Sequence, residues 1–174
     1  MKIKPVQIKK ILYTTDFSDT SLYAYSYAVS LANLYRASIT VLHVITDPIN
    51  IEAQLSGLLP EDQWAAIKNR HIEEARETLL EKRRDNVIIH ETLNQFTENV
   101  KAENRTSKAA ANDEVVVLWG EPVDKILKVS EEGGCDLIIM GTHGHGLLDS
   151  LLGTTAKKVL RKSMIPVLTV RLPD

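Results

Sequence analysis

The sequence predicts an α/β protein in which an open parallel sheet carries helices on both of its faces. Short runs of β-branched and other apolar residues alternate along the chain with segments whose apolar residues recur at helical spacing. The strand-like runs are almost continuously apolar, which is typical of strands covered on both faces. With 174 residues, 44% of them hydrophobic, the chain is expected to form one domain over residues 1–174.

The first two strands and the helix between them have the clearest pattern. Residues 8–15 form a predicted buried strand, and apolar residues at helical spacing predict a helix over 19–35. Ser18 or Asp19 is suited to cap that helix. A second strand is predicted over 38–45, and Pro48 marks its stop.

The middle of the chain has a weaker pattern. Residues 49–59 indicate an irregular loop, and residues 61–84 a long, charged helix. Residues 85–113 are polar and weakly patterned, so we expect a mobile surface insertion there. A short strand at 87–89 and a helical turn or two at 96–102 are the alternatives.

The last third repeats the strand–helix alternation. Strands are predicted over 115–118, 136–140 and 166–171. One helix is expected to begin at Pro122, because proline is favoured in the first turn of a helix, and another is expected over 154–162.

Composition excludes several classes of function. The formal net charge is −2 and aromatic residues make up 5%, so neither a basic stripe nor a set of stacking platforms for nucleic acid is expected. The single cysteine, Cys135, cannot form an internal disulfide. No apolar run of about 18 residues marks a membrane span, and no signal-peptide pattern follows Met1. We therefore expect a cytoplasmic protein with no nucleic-acid or membrane partner.

The glycine-rich stretch from Gly141 to Gly153 is the most informative segment. It leaves the end of a predicted strand and leads into a helix whose first amides, near Thr154, form a potential phosphate site. The hydroxyls of Thr154 and Thr155 can add donors. A tight connection alone needs one or two glycines, whereas this stretch also contains Gly144 and Gly146, so ligand binding is predicted.

Two common phosphate-binding motifs are absent from the sequence. The chain has neither the P-loop pattern nor a dinucleotide fingerprint after the first strand. The first strand instead ends with Thr14, Thr15 and Asp16. A carboxylate there can bind ribose hydroxyls or approach a phosphate-bound metal. The alternative is a helix-capping role, but Ser18 and Asp19 can supply the cap.

Two further candidates carry weaker signals. His143 and His145 form a His-x-His pair that could ligate a metal, but with no other Cys or His cluster nearby His143 is better interpreted as a loop residue near phosphate. Cys135 precedes a buried strand and is expected to be an inert thiol. No metal site and no catalytic residue are predicted.

The order and spacing of several segments resemble the universal stress protein family over nearly the whole chain except residues 46–113. These segments are Lys10–Ser18, Leu42–Ile45, Gly120-x-Pro122, Asp136–Gly144 and Pro166–Val170. The resemblance implies a Rossmann-like sheet, similar to the adenine nucleotide alpha hydrolases, with five parallel strands in the order 3-2-1-4-5. The first and fourth strands would then be neighbours at the point where the winding reverses, which is where such sheets bind ligands.

The resemblance extends to the ATP-binding branch of the family, whose pattern is Gly-x2-Gly-x9-Gly-Ser/Thr. Gly141, Gly144, Gly153 and Thr154 match the fixed positions, with one residue fewer between the second and third glycines. It implies that ATP binds together with Mg²⁺ at eleven positions, one of which is Thr14. Thr15 and Asp16 would hold adenosine, the Val44 backbone would contact adenine, and Met140 would flank the base. Gly141, His143 and Gly144 would line the ribose and phosphate path, and Gly153, Thr154 and Thr155 would hold the phosphates.

The resemblance also implies a homodimer that pairs through the final strand, Val167–Leu172. The competing interpretation is that residues 85–113 cover this edge. Three functions stay open: a nucleotide-binding regulatory or sensor module, an enzyme such as a slow ATPase or nucleotidyl transferase, and a dimeric scaffold without nucleotide. A transferase of the superfamily would show His-x-Gly-His after the first strand, where this chain has residues 16–19, Asp-Phe-Ser-Asp.

Overall fold

The computed structural model describes residues 5–46, 55, 57–75, 81–103, 113–142 and 152–173. Its elements follow in the order β1 (Lys10–Thr15), α1 (Asp19–Tyr35), β2 (Ser38–Ile45), α2 (Glu61–Ala75), α3 (Glu81–Glu103), β3 (Glu114–Trp119), α4 (Pro122–Glu132), β4 (Leu137–Gly141), α5 (Thr154–Lys162) and β5 (Val167–Val170). The helices predicted over 19–35 and 154–162 and the strand predicted over 38–45 are confirmed to the residue, and the other predicted strands agree to within two residues.

The five strands form one parallel sheet in the order β3-β2-β1-β4-β5, which confirms the predicted fold class. Tyr13 of β1 pairs with Val41 of β2 on one side and with Ile139 of β4 on the other. The winding therefore reverses between β1 and β4, and the carboxyl ends of these two strands lie side by side.

Both faces of the sheet are buried. Ile11 and Tyr13 face a core formed with α1, α2 and α3, whereas Leu12 and Ile138 face a second core formed with α4 and α5. Successive residues of β1 thus enter opposite cores. This two-sided burial explains why the strands are continuously apolar rather than alternating.

Helix α1 is held in place by its ends and by small residues. The Ser18 side chain accepts a hydrogen bond from the Ser21 amide at 3.3 Å, so the predicted N-cap is confirmed. The helix ends at Arg36 in the left-handed conformation, with φ of 55°. Ala24 and Ala28 are fully buried, and their small side chains let the helix lie close to the sheet.

Residues 85–103 belong to a packed helix, so the expectation of a mobile insertion is wrong for this part of the chain. Ile89 and Leu93 of α3 are fully buried in the core beside Trp64 of α2. The alternative of a strand at 87–89 is also wrong, and the helical alternative at 96–102 is confirmed. Residues 104–112 lie outside the described residues.

The chain around α2 differs from the sequence prediction in its helix boundaries. The single helix predicted over 61–84 corresponds to α2, which ends at Ala75, and to the start of α3 at Glu81. Residues 76–80 lie outside the described residues. Within the loop predicted over 49–59, Leu55 is fully buried.

Helix α3 lies against β3, the strand at one edge of the sheet. The Trp119 indole Nε1 donates to Asn86 Oδ1 at 2.7 Å, and His90 Nε2 lies 3.1 Å from the Val115 carbonyl oxygen. Residues 85–103 therefore do not cover β5 at the opposite edge, as the competing interpretation required.

Among the described residues, no helix is long and apolar enough to cross a membrane.

Candidate functional site

A cavity of about 290 Å³ opens where the carboxyl ends of β1 and β4 meet the first turn of α5. Its walls are formed by Thr14, Thr15, Asp16, Ser21, Leu42, Val44, Pro122, Ile126, Met140, Gly141, Thr142, Gly153, Thr154, Thr155 and Ala156. Every predicted binding residue that the structure describes lines this cavity. His143 and Gly144 lie outside the described residues.

Sequence reasoning missed part of the lining. Leu42 belongs to it because residues two apart on a strand share a face, and Val44 was already a candidate. Ile126 lies one helical turn after Pro122, so both face the cavity from α4. Ser21, Thr142 and Ala156 also line the cavity and were not among the predicted binding residues.

The residues that line the cavity are of two chemical kinds. The larger apolar ones are Leu42, Val44, Ile126, Met140 and Ala156. The polar ones provide hydroxyl groups, the Asp16 carboxylate and the start of α5. Such a cavity fits a ligand with an apolar, flat part and a polar part that needs hydrogen-bond donors and acceptors.

The start of α5 has the features of an anion site. Gly153 is its N-cap, with φ of −60° and ψ of 157°, and provides no capping side chain. The first turn contains no acidic residue. Its amides therefore face the cavity with the positive end of the helix dipole.

Asp16 is an exposed residue at the mouth of the cavity. Its Oδ1 accepts hydrogen bonds from the Ser18 amide at 3.1 Å and from the Ser18 hydroxyl at 2.6 Å. Ser18 therefore both caps α1 and orients the carboxylate. Asp16 itself does not cap the helix, in agreement with the sequence interpretation.

Gly141 makes a close backbone contact that sequence reasoning did not foresee. A Cβ atom at this position would lie 2.9 Å from the Ser21 amide nitrogen and 3.0 Å from the Thr20 carbonyl carbon. Both neighbours belong to the backbone of α1 and cannot rotate away. Gly141 is thus required for α1 to pack on β4, in addition to its place in the cavity wall.

Gly141→Ala is expected to lower the free energy of unfolding by about 1–3 kcal/mol, because the added methyl group overpacks this contact. Urea denaturation measures the change. Gly57→Ala is the matched control, since among the described residues no atom beyond its chain neighbours lies within 4 Å of a Cβ built there. Equal stability of the two variants would contradict the packing role of Gly141.

Within the described ranges, no group of three or more His, Cys, Asp and Glu side chains could hold a metal ion. His143 and His145 lie outside those ranges.

Cys135 is buried, and its burial raises the pKa of the thiol, which keeps it protonated at neutral pH.

The fold and the cavity define a Rossmann-like α/β protein with a cavity at the reversal of its strand order. The model of the universal stress protein family matches residues 7–171, and the chain belongs to this family.

Relatives and solved structures agree with this assignment. The chain is 35% identical over 167 residues to universal stress protein MJ0577 of Methanocaldococcus jannaschii, covering 95% of this chain and 96% of that protein. It is 31% identical over 163 residues to universal stress protein YxiE of Bacillus subtilis, covering 93% and 98%.

The solved structure of MJ0577 covers 97% of this chain and 99% of its own, with 31% identity and a TM-score of 0.61. A universal stress protein solved in complex with cAMP covers 95% of this chain and 98% of its own, with 23% identity and a TM-score of 0.59. Both share the fold described above.

Proposed function

We propose that residues 1–174 form one universal stress protein domain that binds ATP and acts in the cytoplasm as a regulatory or sensor module in the stress response. The observation that carries the proposal is the convergence of the described candidate residues on a single cavity. Those candidates came from separate segments of the sequence, namely the ends of three strands and the start of α5.

The cavity walls match the parts of an adenine nucleotide. The apolar lining residues, such as Val44 and Met140, suit the flat face of adenine. The Asp16 carboxylate can accept hydrogen bonds from ribose hydroxyls. The phosphates would then extend toward the amides of Thr154 and Thr155, which the helix dipole favours for negative charge.

A triphosphate also needs compensating positive charge. None of the described residues that line the cavity has a cationic side chain. Mg²⁺ prefers oxygen ligands and is commonly held together with substrate phosphates, and the Thr154 and Thr155 hydroxyls could add protein oxygens there. We therefore propose that ATP binds together with Mg²⁺.

One universal stress protein of this fold binds cAMP, which is also an adenine nucleotide. At 23% identity that likeness concerns the fold, so the support for ATP in this chain comes from its own cavity. The same fold can serve unrelated functions, and the residues in the site decide between them.

Slow ATP hydrolysis is the alternative function at this site. Asp16 is the only carboxylate among the described lining residues, and Ser18 already occupies its Oδ1. A carboxylate held in this way is a poor general base, so we propose binding without rapid turnover.

Mass analysis of small molecules released from gently purified protein tests the proposal. We expect ATP or ADP to be recovered, and we expect saturable heat when ATP and Mg²⁺ are titrated into stripped protein. Absence of both signals would favour a scaffold that binds no nucleotide. ADP that accumulates with time in the presence of excess ATP would favour the ATPase.

We also propose that the protein is a homodimer paired through β5. This strand lies at one edge of the sheet, while α3 packs against the other edge. Exposed apolar residues flank β5, with Met164 87% exposed and Leu172 38% exposed.

Leu172→Asp is expected to shift the dimer toward monomer in sedimentation equilibrium, because it introduces charge beside the pairing edge. Val87→Asp, on the exposed side of α3, is the control and should remain dimeric. A wild-type protein that is monomeric at micromolar concentration would overturn this assignment.

A further inference from the structure

The turn between β1 and α1 has an unusual backbone. Phe17 has φ of 64°, a left-handed conformation that bulky residues rarely adopt. Its amide donates to Thr15 Oγ1 at 3.0 Å. Because Phe17 stands between Asp16 and Ser18, its conformation decides whether the Ser18 amide and hydroxyl can reach the Asp16 carboxylate.

His43 of β2 contacts this turn at two points. It is paired with Thr15 in the strand register, and its Nδ1 lies 2.9 Å from the Thr15 carbonyl oxygen. Since a carbonyl oxygen only accepts hydrogen bonds, Nδ1 carries the proton. The His43 ring also stacks on Phe17, with centroids 4.2 Å apart and planes at 27°. One side chain thus holds both the start of the turn and its strained residue.

His43 lies on the opposite face of the sheet from the cavity. Leu42 and Val44 line the cavity, whereas Val41 and Ile45, on the same face as His43, belong to the core beneath α1. His43 is 6% exposed, and its burial lowers the pKa of the imidazole despite the opposing hydrogen bond to Thr15. A neutral imidazole is therefore the form that holds the turn at neutral pH.

A hydrogen-bonded histidine in an otherwise apolar strand face could be a core residue and nothing more. Two observations favour a specific role. Its hydrogen bond ends on the residue before Asp16, and its ring stacks on the residue after Asp16. Both contacts therefore flank the one carboxylate in the described part of the cavity wall.

We propose that His43 is a positioning residue for Asp16, which orients the carboxylate toward the ribose hydroxyls of the bound nucleotide. The inference rests on the proposed function and deepens it. His43 touches no ligand, and it acts by stabilising the turn of Thr15, Asp16, Phe17 and Ser18. Its loss should therefore weaken recognition of the ribose while leaving the adenine and phosphate walls intact.

Three variants separate the contacts of His43. His43→Leu removes both the donor and the aromatic ring. His43→Phe keeps a ring for stacking but lacks the donor, and it replaces the leucine variant if that one does not fold. His43→Asn keeps an amide donor near the position of Nδ1. Val41→Ala is the matched control, because Val41 is also buried on the same strand face but pairs with Tyr13 in the strand register, two residues before Thr15.

The experiment compares the dissociation constants of ATP and 2′-deoxyATP. We expect the wild type to prefer ATP about tenfold, because one hydrogen bond to a charged group is lost with the 2′-hydroxyl. The preference should fall to about twofold or less in His43→Leu and His43→Phe. It should be largely retained in His43→Asn and unchanged in Val41→Ala.

Amide hydrogen exchange measures the stability of the turn in the absence of nucleotide. The Phe17 and Ser18 amides are hydrogen-bonded within the turn. We expect their exchange to become at least about tenfold faster in His43→Leu than in the wild type, relative to the amides of β1. Val41→Ala should show no such selective change.

The outcomes distinguish the two proposals. A wild type that binds neither nucleotide overturns the proposed function and, with it, this inference. A wild type that binds ATP and 2′-deoxyATP equally overturns the inference alone, because the Asp16 carboxylate then does not distinguish ribose from 2′-deoxyribose. The inference alone would also be overturned if the wild type and a folded variant without the donor had the same preference for ATP over 2′-deoxyATP and the same exchange rates of the Phe17 and Ser18 amides.

Discussion

Gly153→Val is expected to weaken ATP binding at least about a hundredfold, which corresponds to about 2.7 kcal/mol. Gly153 lies in the cavity wall directly before the first turn of α5, where the amides would meet the phosphates. Three added carbon atoms at this position would separate phosphate oxygens from those amides. Each hydrogen bond to a charged group that is lost costs about 1.5–3 kcal/mol.

The backbone allows this substitution to be interpreted cleanly. With φ of −60° and ψ of 157°, Gly153 has a conformation that any residue adopts, so valine introduces no backbone strain. Calorimetric titration with ATP and Mg²⁺ measures the affinity. Gly57→Val is the control, because it adds the same side chain at a position where no non-neighbouring atom of the described part of the chain lies within 4 Å of the Cβ. Undiminished affinity in Gly153→Val would show that the phosphate assignment is wrong.

The sheet was predictable because its strands are buried on both faces. Continuous apolar runs such as residues 38–45 predict strands that are buried on both faces. The cap residue Ser18 marks the start of α1. The cavity followed from the same logic. Once β1 and β4 are neighbours, polar residues that end those strands must meet at one edge.

The parts that escaped prediction depend on contacts between distant segments. Phe17 has no sequence signal for its left-handed conformation, which is compatible with stacking on His43 from another strand. Gly141 was interpreted from its glycine-rich surroundings, while its contact with the Ser21 backbone depends on how α1 lies on β4. Tertiary packing decides both cases.

Helix α3 was predicted only in part, because its apolar stripe is sparse. Ile89, Leu93, Phe96 and Val100 recur at spacings of three and four residues, but the residues between them are almost all polar. A narrow stripe of this kind suffices when a helix packs on one side only. The surrounding polarity therefore indicated a mobile insertion from residue 85 onward, where the chain continues a helix that begins at Glu81 and ends at Glu103.

Leu93→Ala should reveal how much stability this helix contributes. Leu93 is fully buried beside Ile89 in the core under β2 and β3, so its truncation leaves a cavity and is expected to lower the free energy of unfolding by about 2–5 kcal/mol. That is a large share of the about 5–15 kcal/mol that stabilises a typical domain. Urea denaturation followed by circular dichroism measures the change.

Val87→Ala is the control on the same helix, because Val87 is 45% exposed and its truncation should change stability by no more than about 0.5 kcal/mol. If α3 instead behaved as a surface insertion, both variants would unfold at the wild-type urea concentration. A selective loss in Leu93→Ala requires that α3 packs on α2 and β3 in solution. In that case β5 remains the less protected edge of the sheet, as the proposed dimer requires.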